Sequence, residues 1–515
     1  MGIPMPPPTR NLGLALASGA LLAAASLPGP FGPLALVALA PLFHLLFQRP
    51  TPRHAGYAGF VAGLVFLAVA NGWVLDSSVR VGPALAFGYA LLLTLLAAGV
   101  GGCMAMLAWI ATRSPMRALA AAPGLWVGLE YARSQDWPLS LPWTALGYSL
   151  GDHAALAQGA AWVGVYGLSF WIVAVNAFVA ALPRMSSAAR AAGLALLAVP
   201  LWPAAALLEA PPSAVDSVRV AAVQPNVADA ERGDPSRYGA ILASLVDLSR
   251  RALDAPADLL VWPESAYRRA QSDAGDAFLR VLAHDLGVAL LTGAPRAPDA
   301  GRGWRNAAVL EPGDGGARGV AEKAHPVAVF ERAPEGPFAR TLARAGLWPG
   351  TVERGVRATP LALRRARGRA VACGVLDCFD ASFPEGAREL RRGGAQVLVA
   401  IANEESTGAW SAQLHARATR LRAIENRIAI VRVANTGPSL WIDAHGRVVA
   451  SLAAGEGASG AHAVALAGAP PPWVRLGDLY VVLAALASAA AASLIAPFRR
   501  VPVTKLAIPS GASTT

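Results

Sequence analysis

Long apolar runs with few charged residues fill the N-terminal part of the chain. Seven such runs occur between residues 11 and 208, and an eighth lies near the C-terminus. Each is close to the ~20 residues that a helix needs to cross a bilayer. The predicted spans are 11–27, 31–47, 57–75, 83–111, 118–132, 155–182, 191–208 and 479–497. A cleaved signal peptide is less favoured for the first run, because further spans follow at once.

The pattern changes between residues 209 and 473, where shorter apolar runs alternate with helical stretches. The β-rich runs end in turn residues and lie at 218–226, 258–265, 288–295, 305–312, 370–378, 395–403, 429–437 and 439–450. Helices are predicted at 237–254, 273–286 and 410–427. Near-continuous apolar strands are typical of sheets that are buried on both faces. The fold class is therefore a multi-span α-helical membrane bundle plus an α/β sandwich.

Composition supports a large membrane-embedded part. The chain of 515 residues is 55% hydrophobic and 15% charged, whereas soluble domains carry roughly 25% charged residues. The predicted segments are a membrane domain of about seven helices at 1–208, an α/β domain at 209–473, a transmembrane helix at 474–498 and a tail at 499–515.

The net charge of +11 first suggests a nucleic-acid partner, but the position of the basic residues explains it otherwise. With a cytoplasmic N-terminus, the cytoplasmic segments hold ten basic residues, and the opposite side holds three outside the α/β domain. This bias follows the positive-inside rule. It places the α/β domain outside the cytoplasm, beside the outer leaflet, and no nucleic acid is needed. The ten are Arg10, Arg49, Arg53, Arg113, Arg117, Arg184, Arg190, Arg499, Arg500 and Lys505; the three are Arg80, Arg133 and Arg475.

Three polar residues at or just after strand ends are candidates for catalysis. Glu264 ends the run DLLVWPES, Lys323 follows a Gly-rich turn, and Cys378 ends AVACGVLDC. Functional groups gather where the strands of open α/β sheets end. A carboxylate can accept the thiol proton, and an ammonium with the peptide N–H of Phe379 can stabilise an oxyanion. Together these groups predict acyl transfer through a thioester.

Each candidate also has a purely structural explanation. Glu264 fits a surface turn after Pro263, Lys323 a solvated lysine, and Cys378 an inert buried thiol. One observation favours function for the lysine, because Lys323 and Lys505 are the only lysines in the chain. The three cysteines, Cys103, Cys373 and Cys378, have neither disulfide nor metal spacing.

The motifs VWPES, EKAH with Glu331 eight residues after the lysine, and DCFD resemble the nitrilase superfamily in order and position. RAIEN (422–426) and residues 434–448 resemble the segments that follow the superfamily's cysteine. The membrane segments LPWTALGYS, VGVYGLSFWIVAVNA and WVGLEYARS, together with the layout of spans, resemble the apolipoprotein N-acyltransferase family of the bacterial inner membrane.

The resemblance implies a nitrilase-like α-β-β-α sandwich on the periplasmic side. Glu264 would be the general base, Lys323 the oxyanion and thiolate partner, and Cys378 the nucleophile, with Glu331 and Asp380 as further site acids. The acyl donor would be a phospholipid, typically phosphatidylethanolamine, and the acceptor the α-amine of a diacylglyceryl-cysteine lipoprotein. No cofactor or metal is implied, and a monomer is expected.

The chain departs from the family pattern in three places. Asp380 stands where the family usually has Glu, NEESTG (403–408) where it reads Asn-Asp-Ala-Trp-Phe-Gly, and Ala328-Val329-Phe330 where it has Pro-Phe-Gly. Two alternatives therefore remain open, a membrane-anchored amidase or nitrilase-type hydrolase, and a non-catalytic paralogue that binds lipid or lipoprotein.

Three further residues carry expectations about position. Glu130 within a span is a functional candidate by default, with packing beside Arg133 as the alternative. Trp143 is expected in an interfacial aromatic belt. Asp377 is expected to point away from the cysteine along its strand.

Overall fold

The computed structural model describes residues 8–135, 140–201, 216–268, 273–296, 304–327, 331, 352–356, 359–365 and 369–495. The N-terminal helices are Pro8–Ser26, Ala35–Ala38, Ala40–His44, Pro52–Ala70, Gly72–Val81, Pro83–Ala111, Pro115–Ser134, Ala154–Ala157, Ala160–Ala181 and Ser187–Ala198. Leu479–Leu494 is the last helix in the described residues. Each predicted apolar run is thus helical in at least part of its length.

Length and apolarity separate these helices into two groups. In the described part of the chain, three segments are long and apolar enough to cross a membrane, Pro52–Ala70, Ala86–Ala111 and Ala160–Arg184. Shorter apolar segments are Asn11–Ser26, Gly32–Gln48, Ser187–Ala198 and Leu479–Leu494. Large apolar side chains such as Phe87 and Leu486 are exposed on the outside of this bundle, as expected for surfaces that face lipid.

The apolar segment predicted at 31–47 is helical but irregular, because the chain forms several short helical pieces there. The buried amide of Asn176 occupies the break: its Oδ1 accepts hydrogen bonds from the backbone N–H groups of Leu39 (2.7 Å) and Ala40 (3.0 Å). Its Nδ2 donates to the carbonyl of Ala35 at 2.8 Å. A distant side chain thus satisfies backbone groups that an unbroken helix would have paired internally.

The C-terminal domain contains two six-stranded sheets. The strands are β1 (Ser217–Gln224), β2 (Leu259–Val261), β3 (Ala289–Arg296), β4 (Arg305–Glu311), β5 (Gly319–Glu322), β6 (Leu361–Leu363), β7 (Val371–Asp377), β8 (Val397–Ala402), β9 (Ile430–Ala434), β10 (Ser439–Ile442), β11 (Val448–Leu452) and β12 (Ala458–Ala465). The first sheet has the order β12-β1-β2-β3-β4-β5 and the second β11-β10-β9-β8-β7-β6. In each sheet three central strands are parallel, β1–β3 and β7–β9, and the outer strands are antiparallel.

The sheets stack face to face over one apolar core, which contains Val220 and Val261 from the first sheet and Val375 and Val399 from the second. Helices cover the outer face of each sheet, as expected for a domain built of packed layers. The covering helices are Tyr238–Ala252 and Asp273–Leu286 on the first sheet, and Pro384–Arg392 and Gly408–Asn426 on the second. Short helices Asp229–Gly233 and Pro472–Leu476 complete the domain. This confirms the predicted α-β-β-α sandwich.

The run 439–450 was predicted as one strand and is a hairpin. Asp443 ends the first arm, and its Oδ1 accepts from the N–H groups of His445 and Arg447, each at 2.9 Å. Gly446 has a φ of +79°, which is costly for residues with a Cβ. The turn therefore reverses the chain and makes β10 and β11 antiparallel neighbours.

The helix Gly408–Asn426 also contacts the membrane helices. Arg417 donates through Nε to Asp152 Oδ2 at 2.8 Å and through Nη1 to the carbonyl of Ser26 at 2.9 Å. Arg420 reaches the second oxygen of Asp152 at 3.2 Å. One helix thus covers the second sheet with one face and joins that sheet to the N-terminal helices with the other.

Gly164 is needed where the helix Ala160–Ala181 changes direction. Its φ is +66°, and an added Cβ would lie 2.7 Å from the ring of Trp473. Gly164→Ala should therefore cost about 1–3 kcal/mol of stability through overpacking and backbone strain, measured as a lower unfolding temperature in detergent. Gly128→Ala is the control, since no atom lies within 4 Å of the added Cβ. Equal unfolding temperatures for both variants would contradict this account.

Candidate active site

The side chain of Lys323 lies at the centre of the candidate site. It follows β5, and its backbone N–H donates to the carbonyl of Asn306 on β4 at 2.8 Å. Its Nζ donates to Glu264 Oε1 and Glu331 Oε1, both at 2.8 Å. The side chain is 1% exposed. A buried ammonium needs such partners, because its desolvation costs several kcal/mol.

Glu264 contacts both sheets of the sandwich. It lies three residues after β2 of the first sheet, and its Oε2 accepts from the backbone N–H of Asn403, which follows β8 of the second sheet, at 3.1 Å. Gly293 on β3 allows the close approach of this segment, since a Cβ there would lie 2.5 Å from the Cα of Glu264. Both carboxylate oxygens therefore have fixed donors.

Cys378 begins a tight turn at the end of β7. The turn is the 3-10 helix Cys378–Ser382, and Cys378 has a φ of +51°. A non-glycine residue in this conformation is strained, and such strain persists only where the surrounding structure enforces it. The thiol packs against Ala402 and Ala434 at the ends of β8 and β9, so it lies where the parallel strands of the second sheet end.

The charges of the site act on the cysteine. Burial and the nearby Glu264 carboxylate raise the pKa of Cys378 well above its usual range, and the Lys323 ammonium opposes them. The pKa shift favours the thiol form of Cys378 over the thiolate. The closeness of Glu264 and Lys323 to the sulfur brings the three predicted residues to one site.

Glu331 belongs to the same cluster. Its Oε1 accepts from Lys323 and from Asn306 Nδ2 at 2.9 Å, and its Oε2 accepts from the N–H of Val327 at 2.6 Å. Burial raises the pKa of Glu331, although Lys323 lowers it. The pKa of Lys323 is itself raised well above its usual range, because Glu264 and Glu331 together outweigh the effect of burial. The departure at 328–330 lies outside the described residues.

Asp380 joins the segment after Lys323 to the turn Cys378–Ser382. Its Oδ1 accepts from the backbone N–H and the Nδ1 of His325, both at 2.8 Å. Its Oδ2 accepts from the N–H of Ala324 at 3.2 Å. The carboxylate thus ties the residues directly after Lys323 to the turn that begins at Cys378, and the shorter side chain of Asp still makes these bonds.

Asp377 is the last residue of β7 and is buried. Asp377 lies on β7 at the same alternation as Cys373 and Val375, which point into the core between the sheets. Burial and the nearby Glu264 raise the pKa of Asp377 well above its usual range, while Lys323 lowers it. Cys378 packs against Ala402 and Ala434, which alternate with the core residues Ile401 and Val433 on β8 and β9, so the expected opposite orientation of Asp377 and Cys378 stays a prediction.

The segment 403–408 is anchored by a buried carboxylate. Glu404 accepts from His415 Nδ1 at 3.2 Å and pairs with Arg432. Burial alone would raise the pKa of Glu404, but Arg432 and His415 lower it to about 2. Glu404 therefore stays ionised. It holds the start of segment 403–408, which departs from the family pattern, beside the Asn403 N–H that binds Glu264.

Aromatic rings surround the turn Cys378–Ser382. Phe379 packs edge-to-face on Trp143 at 5.1 Å and on Phe383 at 5.0 Å between ring centroids. Trp143 is buried, and its Nε1 donates to Asn71 Oδ1 at 2.8 Å. The expectation of an interfacial belt is therefore wrong for Trp143, which is buried and packs the membrane domain against Phe379.

Two groups of the site were not predicted from the sequence. Asn306 lies on β4 and donates to Glu331 and, at 3.4 Å, to Glu264; a polar residue in the apolar run RNAAVLEP was its only signal. The backbone N–H of Asn403 binds Glu264, and no side-chain pattern could have indicated it.

Comparison with known proteins agrees with this architecture. A family model for the apolipoprotein N-acyltransferase N-terminal domain matches residues 18–178, and a carbon-nitrogen hydrolase model matches residues 219–468. The apolipoprotein N-acyltransferase of Geobacter metallireducens is 34% identical over 463 residues, which cover 86% of this chain and 87% of the relative. That of Bradyrhizobium diazoefficiens is 32% identical over 424 residues, or 75% of each chain.

Among solved structures, a mutant amidase of the nitrilase superfamily from Nesterenkonia aligns with a TM-score of 0.39 and 21% identity, covering 53% of this chain and 98% of that one. The two stacked sheets and the matching family model define a carbon–nitrogen hydrolase domain joined to a membrane domain. The chain belongs to the apolipoprotein N-acyltransferase family.

Asp380→Asn should lower activity without unfolding the protein. The amide presents one acceptor oxygen where the carboxylate accepts from Ala324 and His325, so Lys323 shifts relative to Cys378. Misplacement of a catalytic group by about 1 Å costs up to roughly 100-fold in rate, which an acyl-transfer assay measures. The control is Asp443→Asn, which alters a similar carboxylate in the β10–β11 turn and should keep full activity. Full activity of Asp380→Asn would contradict this role.

Proposed function

We propose that this protein transfers an acyl chain from a phospholipid to the α-amine of a diacylglyceryl-cysteine at the N-terminus of a lipoprotein. The observation that carries the proposal is the buried Lys323 ammonium, which bonds to Glu264 and Glu331 beside the Cys378 thiol. This arrangement supplies a base, a positive charge and a nucleophile in one buried site. Membership of the apolipoprotein N-acyltransferase family supports acyl transfer rather than hydrolysis as the reaction at this site.

In the first half-reaction, Glu264 takes the Cys378 proton and the sulfur attacks the ester carbonyl of the phospholipid. Lys323 and the peptide N–H of Phe379 stabilise the oxyanion that forms. The bond between the acyl carbon and the glycerol oxygen then breaks, and Glu264 protonates that oxygen. The products are a lysophospholipid and an acyl-thioester on Cys378.

In the second half-reaction, the lipoprotein amine attacks the thioester carbonyl. The C–S bond breaks, an amide bond forms, and the amine proton passes through Glu264 to the departing sulfur. A covalent intermediate lets one pocket handle two bulky lipids in turn. Phosphatidylethanolamine is the proposed donor, and a monomer the proposed active form.

The proposed placement is a multi-pass protein of the bacterial inner membrane with its catalytic domain on the periplasmic side. Both substrates lie in the outer leaflet, so the site must open beside it. The proposed segments are 1–208, 209–473, 474–498 and 499–515; the first boundary and the last lie outside the described residues. The contact between helix Gly408–Asn426 and the membrane bundle supports a fixed position of the site above the bilayer.

An amidase-type hydrolase remains the second candidate, because the same base, lysine and cysteine would serve carbon–nitrogen bond cleavage. The membrane contacts of the site favour the transferase. Trp143 and Tyr148 come from the membrane domain and touch Phe379 and Ser382 directly. A hydrolase of small amides has no need of such contacts.

The test is incubation of the full-length protein in detergent with phosphatidylethanolamine, followed by intact-protein mass spectrometry. The expected product is one acyl group on Cys378 that hydroxylamine removes. Cys378→Ala should not be acylated, whereas Cys103→Ala should be acylated as the unsubstituted protein is. Amide hydrolysis without any acyl-thioester would overturn the proposal in favour of the hydrolase. Full growth rescue by Cys378→Ala in acyltransferase-depleted cells would favour a non-catalytic role.

A further inference from the structure

A loop of the membrane domain contacts the turn Cys378–Ser382. We call this segment the nucleophile turn, because Cys378 is the proposed nucleophile. The loop contains the 3-10 helices Pro142–Thr144 and Leu146–Asp152 and is buried along this length except at Asp152. Tyr148 in this loop donates its hydroxyl hydrogen to the carbonyl of Ser382 at 2.6 Å. Ser382 is the last residue of the turn that begins with Cys378, so this bond joins the membrane domain to the catalytic turn.

A fully buried ion pair holds the tyrosine. Arg422 Nη1 donates to the Tyr148 hydroxyl oxygen at 3.0 Å, and Arg422 Nε pairs with Glu425 Oε2 at 2.7 Å. Glu425 Oε1 also accepts from the N–H of Val165 at 2.8 Å, directly after the break at Gly164. Because both charges are fully buried and paired, the hydroxyl has a fixed donor and a fixed acceptor.

A second pair fixes the loop from within the membrane helices. Glu130 Oε1 accepts from the N–H of Leu146 at 2.8 Å and from Trp126 Nε1 at 2.7 Å. Arg133 donates to the carbonyl of Thr144. These bonds explain why the helix Pro115–Ser134 contains Glu130 and Arg133. Both side chains bind backbone groups of the loop that would otherwise be buried without partners.

The nucleophile turn needs such support. Cys378 has a φ of +51°, a conformation that persists only when surrounding contacts enforce it. Asp380 ties the turn to the segment that follows Lys323, and Tyr148 binds the last residue of the turn, Ser382. The peptide N–H of Phe379, the proposed oxyanion donor, lies between Cys378 and Asp380 in the same turn.

We propose that Tyr148 is a positioning residue through which the membrane domain sets the geometry of the nucleophile turn. This inference rests on the proposed function. The hydroxyl holds the Ser382 carbonyl, and thereby orients the Phe379 N–H toward the oxyanion that forms in the transition state. Removal of the hydroxyl should therefore slow thioester formation without changing how the phospholipid binds.

The expected effect of Tyr148→Phe is a fall of roughly 10- to 100-fold in the first-order rate of acyl-thioester formation, with KM for phospholipid unchanged. Alkylation of Cys378 by iodoacetamide should be nearly unchanged, because that displacement forms no oxyanion and depends on thiolate formation. Peptide mass spectrometry reports the alkylation at Cys378 and also shows whether the pocket is intact.

The matched control is Tyr131→Phe. Tyr131 donates its hydroxyl hydrogen to Asp478 at 3.2 Å and packs edge-to-face on Tyr166, so it also joins two segments at the membrane domain but does not touch the turn. Its variant should form the thioester at the rate of the unsubstituted protein.

Three outcomes decide the inference. A selective fall in the acylation rate of Tyr148→Phe supports it. Equal acylation rates for Tyr148→Phe and Tyr131→Phe, or a parallel fall in acylation and alkylation, would overturn it and leave the proposed function standing. Absence of a thioester in the unsubstituted protein would overturn the proposed function and this inference with it.

Discussion

The buried ammonium of Lys323 is the constraint on which the catalytic domain depends. A charge that is 1% exposed between two sheets must be paired, and Glu264 and Glu331 supply the pairing from two different segments. The three side chains therefore hold each other in place. Burial and the Glu264 carboxylate raise the pKa of Cys378, although the Lys323 ammonium opposes them.

The same principle of buried, fully partnered polar groups joins the two domains. Glu130 binds the loop that carries Tyr148, and the Arg422–Glu425 pair binds Tyr148 and the backbone beside Gly164. Each pair is expensive to bury, so each is useful only in one arrangement of the domains. The turn Cys378–Ser382 is thereby held at a fixed position relative to the helices of the N-terminal domain.

The sequence predicted the sandwich and the residues at strand ends, because apolar runs and turn residues are local signals. Glu264, Lys323 and Cys378 were found in this way, although the resemblance gave their roles. The strands β5, β6 and β12 were missed, since β5 and β6 are only four and three residues long and most residues of β12 are half-buried or exposed. The bonds of Asp380 to the lysine segment and the buried position of Trp143 depend on contacts distant in sequence, which no local pattern encodes.

The protonation state of Lys323 tests the central claim most directly. In a Lys505→Arg background Lys323 is the only lysine of the chain, so ¹³C,¹⁵N-lysine labelling gives one side-chain NMR signal. The two carboxylates raise the pKa of Lys323, so the ammonium should persist above pH ~10.4, where a free lysine is half deprotonated. Deprotonation clearly below that pH would mean that burial outweighs the carboxylates, and it would contradict the account.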